Sequence, residues 1–237
     1  MTNSMGETAL LLAIDTCGAS GSVALGRVAG GGLEVLGQIE LAGRSYSATL
    51  VSAVSGLLKS VGAELGEVRG IVVANGPGSF TGVRVGVGAV KGLAEGAGIP
   101  VVAVSRLEVL SRKSGVPSAA LDAHRGEVYL RLEQQGCEAV ERLAGAQELE
   151  ATAPLPARVA VCDEAGALLA TAWPAVNQVR SAAPMAADAL RLGEARLAAG
   201  ASVDLALLNG HYLRRSDAEI FGTDLLGASR ATAKKHE

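Results

Sequence analysis

Nine residues near the middle of the chain, Gly76-Pro77-Gly78-Ser79-Phe80-Thr81-Gly82-Val83-Arg84, have the composition of a phosphate cradle. Gly76 and Gly78 lack a Cβ, which lets backbone pass close to another surface. Ser79 or Thr81 can cap the free amides of a following helix. Those amides, with the positive end of the helix dipole, form an anion site. An apolar run ending at Asp15 is followed by Thr16, Ser20 and Ser22, whose hydroxyls could complete the pocket. The candidate nucleotide residues are therefore Thr16, Ser20, Gly76, Gly78, Ser79 and Thr81. Neither loop contains a lysine, and the nearest basic groups, Arg84 and Lys91, fall inside the next helix. The pocket reads as a degenerate one whose glycines serve tight packing, and no cofactor is expected.

Other chemistry is sparse. The histidines His124, His211 and His236 are not within helical reach of one another, and Asp15 and Asp122 have no ligand cluster around them. No metal site is expected. Ser79 is preceded at two positions by Pro77, so the nucleophile pattern Gly-x-Ser-x-Gly is unmatched. No catalytic residue is assigned. Asp122, Arg125 and Glu127 surround a charged turn that reads as a solvated hairpin, where an exposed ion pair contributes under ~1 kcal/mol.

These residues need elements to position them. Strands are expected over residues 10–14, 22–26 and 33–36 as an antiparallel meander. A helix over 47–61 follows from Leu50, Val54, Leu57, Leu58 and Val61 at helical spacing. Next come a strand over 71–74, the glycine turn, and a helix over 81–97. That helix contains Gly82, Gly86, Gly88 and Gly92, each costing roughly 1 kcal/mol relative to alanine. Close approach of another backbone would offset this. Val83, Val87, Val90 and Leu93 form its apolar stripe. Further strands are expected from Pro100 to Val104 and over 118–122, 127–132 and 158–162, with helices over 106–113 and 186–199.

With 237 residues, 49% of them hydrophobic but only 3% aromatic, the core must be built from Ala, Val and Leu. A net charge of −3 argues against autonomous binding to a nucleic-acid backbone. Cys17, Cys137 and Cys162 are widely spaced, and no run approaches the ~20 apolar residues that span a bilayer. A reduced, cytoplasmic protein without a membrane contact is expected. Two lobes are expected: residues 9–106, to which 209–225 return, and a second, reduced lobe over 107–208. Residues 226–237 are expected to be a disordered tail.

The order strand, Asp15-Thr16, turn, strand, helix resembles the actin-like and hexokinase-like superfamily, an α/β fold of two lobes with mixed central sheets flanked by helices. The segments LLAIDTCGASGSVAL, NGPGSFTGVRVGVGAVKGLAEGAGIPVVAVSRLEVL, LDAHRGEVYLRL and HYLRRSDAEI are similar, in this order, to the TsaB (YeaZ) family of bacterial tRNA threonylcarbamoyladenosine biosynthesis proteins. The resemblance covers most of residues 10–132 and a short C-terminal piece. It implies a non-catalytic subunit that binds the threonylcarbamoyl transferase TsaD, acts with the ATPase TsaE, and meets tRNA only indirectly. It also implies that the two helices over 47–61 and 81–97 pair with TsaD as a four-helix bundle. The expected interface residues are Leu50, Val54, Leu57, Leu58, Val83, Val87 and Val90, and the same face is a candidate for a homodimer. In two places the chain departs from relatives. Arg44-Ser45-Tyr46-Ser47-Ala48 lies where many carry a histidine, and Cys162-Asp163-Glu164-Ala165-Gly166 lies where they are richer in glycine; separately, Cys17 lies where active superfamily members carry a glycine. A small-molecule kinase, recognised by Mg-ATP turnover, and a metallopeptidase, recognised by bound metal, are the alternatives.

Overall fold

The computed structural model describes residues 8–43, 45–133 and 137–214. The apolar run after Thr8 forms β1 (Thr8–Asp15), which is buried almost throughout and therefore central. It pairs antiparallel with β2 (Gly21–Ala29), and β2 with β3 (Gly32–Leu41). On its other side β1 pairs in parallel with β4 (Val68–Ala74), and β4 with β5 (Val101–Val104). The first sheet thus has the order β3-β2-β1-β4-β5. Helix α1 (Tyr46–Ser60) and helix α2 (Phe80–Ala97) pack side by side on one face of it. Their apolar residues join Leu12, Ile14, Val23, Leu25, Ile71 and Val73 in a single core.

The second sheet repeats this plan. β6 (Ser118–His124), β7 (Glu127–Leu132) and β8 (Val140–Ala144) form an antiparallel meander. β9 (Arg158–Val161) and β10 (Asn177–Arg180) continue from β6 in parallel. The order β10-β9-β6-β7-β8 is the first sheet's order read from the other end. Helix α4 (Ala146–Glu150) follows the meander and helix α5 (Ala165–Ala172) connects β9 to β10. Each half of the chain is therefore three strands, a helix, a strand, a helix, a strand and a final helix. The expected two-lobed actin-like architecture, with mixed sheets flanked by helices, is the one the chain adopts.

The final helices exchange places. α3 (Arg106–Ser114) follows β5 but buries Leu107 and Leu110 against Leu121 and Ala160 of the second sheet. α6 (Ala186–Ala198) follows β10 but packs Ala186, Ala189 and Leu190 on Leu11, Ala13, Ala24 and Val72 of the first. This moves one expected boundary. Residues 186–208 do not belong to the second lobe, because the apolar stripe of α6 covers the bare face of the first sheet. Val203 and Leu208 also join the first core, and Val203 N donates to Val101 O on the edge of β5 (2.8 Å). The return to the first lobe therefore starts before residue 209. Residues 215–225 and the tail over 226–237 lie outside the described residues.

β8, α4, α5 and β10 have no counterpart among the elements expected from sequence. Each is only 4 to 8 residues long. No described helix is long and apolar enough to cross a membrane.

Candidate functional site

Asp15 ends β1 behind Cys17 and Arg106, which line the cleft between the lobes, and its carboxylate is buried. A buried carboxylate needs partners, and two are in place. Cys17 N donates to Oδ1 at 2.8 Å, and Arg106 Nε, from the first turn of α3, donates to Oδ2 at 3.2 Å. The guanidinium lies over Gly18, where a Cβ would stand 2.5 Å from Arg106 Nη2. Burial works against the charge of Arg106, but the neighbouring Asp15 carboxylate outweighs it and raises its pKa. Burial and the neighbouring Asp15 push the Cys17 thiol well up, so it is a packed donor to Ala74 O rather than a nucleophile. Tyr46 closes the same turn by donating to Gly18 O at 2.9 Å.

The glycine loop docks on this turn. Ser79 is the N-cap of α2, as expected, and its Oγ accepts from Gly82 N at 3.3 Å. Ser79 N donates to Cys17 O at 2.8 Å. A Cβ at Gly78 would lie 2.2 Å from Cys17 O, and one at Gly82 only 2.0 Å from Thr16 O. Thr16 is fully buried and donates to Gly82 O at 2.7 Å. The Ser79 amide and the Thr16 hydroxyl, two of the groups that could hold a phosphate, are spent on joining the two loops. Of the six candidate nucleotide residues only Gly78 and Ser79 line the cleft. Thr16 and Gly76 are interior, while Ser20 and Thr81 are exposed outside it.

The cleft has a volume of about 970 Å³. All three tyrosines of the chain, Tyr46, Tyr129 and Tyr212, line it together with Phe80. Its charged groups are engaged with one another. His124 donates its backbone N–H to Asp122 Oδ1 (2.8 Å), and its Nδ1 lies 2.9 Å from Oδ2. Asp163 accepts from the backbone N–H groups of Asp122 and Ala165. Arg214 donates to Glu127 and to His124 O. The turn carrying Arg125 is thus tied to the C-terminal segment rather than standing as a free solvated hairpin. His124 and Arg125 both hold φ at 59°, a conformation L-residues adopt at a cost. Among the described residues no group of three or more His, Cys, Asp or Glu is placed to hold a metal.

A second ionic node joins the lobes. Glu141 on β8 accepts from Ser105 Oγ (2.6 and 2.8 Å) and from Arg131 Nη1 (2.9 Å), and faces His211 Nε2 at 2.9 Å. Burial raises its pKa, but the hydrogen bonds from His211, Ser105 and Arg131 outweigh that and hold it below the usual carboxylate value. A depressed carboxylate stabilises the fold above its unfolded pKa and loses that contribution as pH falls through its folded value. Glu141→Gln should cost about 2 kcal/mol at neutral pH. It should also flatten the acid limb of stability below about pH 4.5. Urea midpoints across acid pH measure both; an unchanged limb would show that Glu141 is not the acid-sensitive group.

The helix pair corrects the sequence expectation. Leu50, Val54, Leu57, Leu58, Val83, Val87 and Val90 are all buried inside the isolated chain. Apolar residues at helical spacing mark the side facing the sheet, so these seven are core and leave no greasy outer stripe. The outward side is built instead from Ala48, Val51, Ser52 and Gly56 on α1 and from Arg84, Gly88, Gly92 and Gly96 on α2. Val51 is its one large apolar group, at 59% exposure. The helix glycines therefore divide. Gly82 and Gly86 face Thr16, whereas a Cβ at Gly88, Gly92 or Gly96 would meet nothing within 4 Å.

Arg106, Ser105, Arg131 and Glu141 escaped the sequence reading. One signal was available for Arg106. Asp15 ends a strand buried on both faces, where a counter-ion is obligatory, and Arg106 sits just beyond the end of another such strand.

Residues 37–155 match the model of the family described as TsaD: tRNA N6-adenosine threonylcarbamoyltransferase. The tRNA threonylcarbamoyladenosine biosynthesis protein TsaB of Escherichia coli (strain K12) is 38% identical over 125 residues, covering 50% of this chain and 52% of its own. TsaB of Bacillus subtilis (strain 168) is 42% identical over 95 residues, covering 38% of this chain and 42% of its own. The chain spans about half the length of the curated relatives it matches. Among solved structures, YeaZ from Pseudomonas aeruginosa superposes with a TM-score of 0.68 at 30% identity, over 86% of this chain and 100% of that one. Another structure from Pseudomonas aeruginosa, of an uncharacterized protein with similarity to peptidase YEAZ, gives 0.70 at 31% identity over 87% and 100%.

Proposed function

The chain belongs to the TsaB/YeaZ family, and from that premise we propose that it is the non-catalytic scaffold subunit of a tRNA threonylcarbamoyladenosine-forming complex. It docks on the threonylcarbamoyl transferase TsaD through the outward sides of α1 and α2, works with the ATPase TsaE in the cytoplasm, and meets tRNA through those partners. One observation carries the reading. Gly88, Gly92 and Gly96 cost the isolated α2 about 1 kcal/mol each and have open space in front of them, so nothing among the described residues requires their smallness. A partner helix lying against them does, since small residues let two helices approach to the ~8 Å end of the packing range. A second copy of the chain would fit the same surface in the partner's absence.

The absence of an own reaction is supported by pairing. Asp15 is neutralised by Arg106, and the Ser79 amide is turned inward onto Cys17 O. Both facts weigh against the kinase alternative, and the lack of a described ligand cluster weighs against the peptidase.

Val51→Asp and Gly92→Arg place charge and bulk on exposed positions, so each should leave stability within about 1 kcal/mol of wild type. Both should abolish co-elution with TsaD and the chain's stimulation of threonylcarbamoyl transfer in a reconstituted reaction. Retained co-elution of both variants would sink the docking face.

A further inference from the structure

We propose that residues 209–214 form a releasable strap across the cleft, and that the outward face of α2 controls it through Arg84, Phe80 and Tyr212. The strap is anchored in both lobes. On the first, Leu208 is buried in the core, Asn75 Nδ2 donates to Asn209 O (3.2 Å), and His211 N donates to Asn75 O (2.7 Å). On the second, His211 meets Glu141, Leu213 packs on the core beneath α3, and Arg214 meets Glu127.

Between these anchors the strap touches the start of α2. A Cβ at Gly210 would lie 2.6 Å from Val83 Cγ1, and the Tyr212 ring centroid is 4.9 Å from that of Phe80. The Arg84 guanidinium in turn lies 3.9 Å from the Phe80 ring centroid. Arg84 is exposed and shares the i, i+4 line of Gly88, Gly92 and Gly96. A body pressed onto that line must engage or displace Arg84, which changes what holds Phe80 and hence Tyr212. Tyr212 is 37% exposed, and the strap's polar contacts are at most partly buried. Segments of this kind open locally well before the fold does. The strap is therefore the cheapest element through which docking can alter the separation of the lobes.

The meaning of this coupling for assembly rests on the docking reading above, but its test uses the isolated full-length chain. Amide hydrogen exchange of residues 210–214 is measured in wild type, Arg84→Ala, Tyr212→Ala and the double variant. Arg84→Ala should speed strap exchange about threefold, the loss of a partly exposed cation–π contact, while the amides of α6 keep their protection. Tyr212→Ala should speed it about tenfold or more. The double variant should exchange no faster than Tyr212→Ala alone, because both changes cut one chain of contacts. Unchanged strap exchange in Arg84→Ala overturns the proposal, as does an additive double variant. Failure here leaves the docking face standing, and retained co-elution of Val51→Asp and Gly92→Arg leaves the strap standing.

Discussion

Arg106→Met should destabilise the protein by about 3–5 kcal/mol, because it leaves the Asp15 carboxylate buried without its counter-charge. The loss is large for three reasons. The guanidinium is itself buried, its carboxylate partner has no route to water, and α3 carries it from the second lobe into the first. Replacing the pair with uncharged groups is a different experiment. Asp15→Asn with Arg106→Met removes both charges, keeps an acceptor for Cys17 N, and should recover most of the loss. Urea midpoints of the two single variants and the double variant complete the cycle. A single variant within 1 kcal/mol of wild type would mean that Asp15 is not held by Arg106.

The second prediction opposes two glycines on one helix. Gly82→Ala should cost about 3 kcal/mol, the upper end of the overpacking range, because its Cβ would lie 2.0 Å from the Thr16 carbonyl oxygen. Thr16 is fully buried and also donates to Gly82 O, so neither backbone can retreat freely. Gly92→Ala meets nothing within 4 Å and should stabilise the isolated chain by about 1 kcal/mol through helix propensity. Thermal or urea unfolding of the two variants reads the opposite signs directly. A destabilising Gly92→Ala would mean that the outward glycine serves the isolated chain and not a neighbour.

That contrast marks the limit of what the sequence makes legible. Local signals were sufficient for the strand that ends at Asp15, for the strand, glycine turn and helix around Ser79, and for the first helix. Each depends on the period of apolar residues or on a capping hydroxyl. The same period could not say which residues of α1 and α2 are left on the outside. Leu57 and Val87 are apolar because they face the first sheet, and the surface left over, glycine, alanine and serine with Val51 and Arg84 as larger groups, carries no hydrophobic pattern. β8 and β10 were illegible for another reason. Val140-Glu141-Arg142-Leu143-Ala144 and Asn177-Gln178-Val179-Arg180 are short edge strands rich in polar groups. Each pairs with the strand just before it in the chain, so its place is set by that partner and not by an apolar period of its own. The pairs Asp15–Arg106 and Glu141–His211 are separated by 91 and 70 residues. Only the fold brings them together.

The exchange of terminal helices bears on the birth of the protein at the ribosome. Sheet and helix pair of the amino-terminal half can assemble early, yet Leu11, Ala13 and Val72 stay wet until Ala186–Ala198 has emerged. Either half cut off alone would leave a sheet face without the helix that covers it. A nascent chain stalled before α6 holds an uncovered apolar plate, so this face of β1 and β4 is sealed only once α6 has emerged.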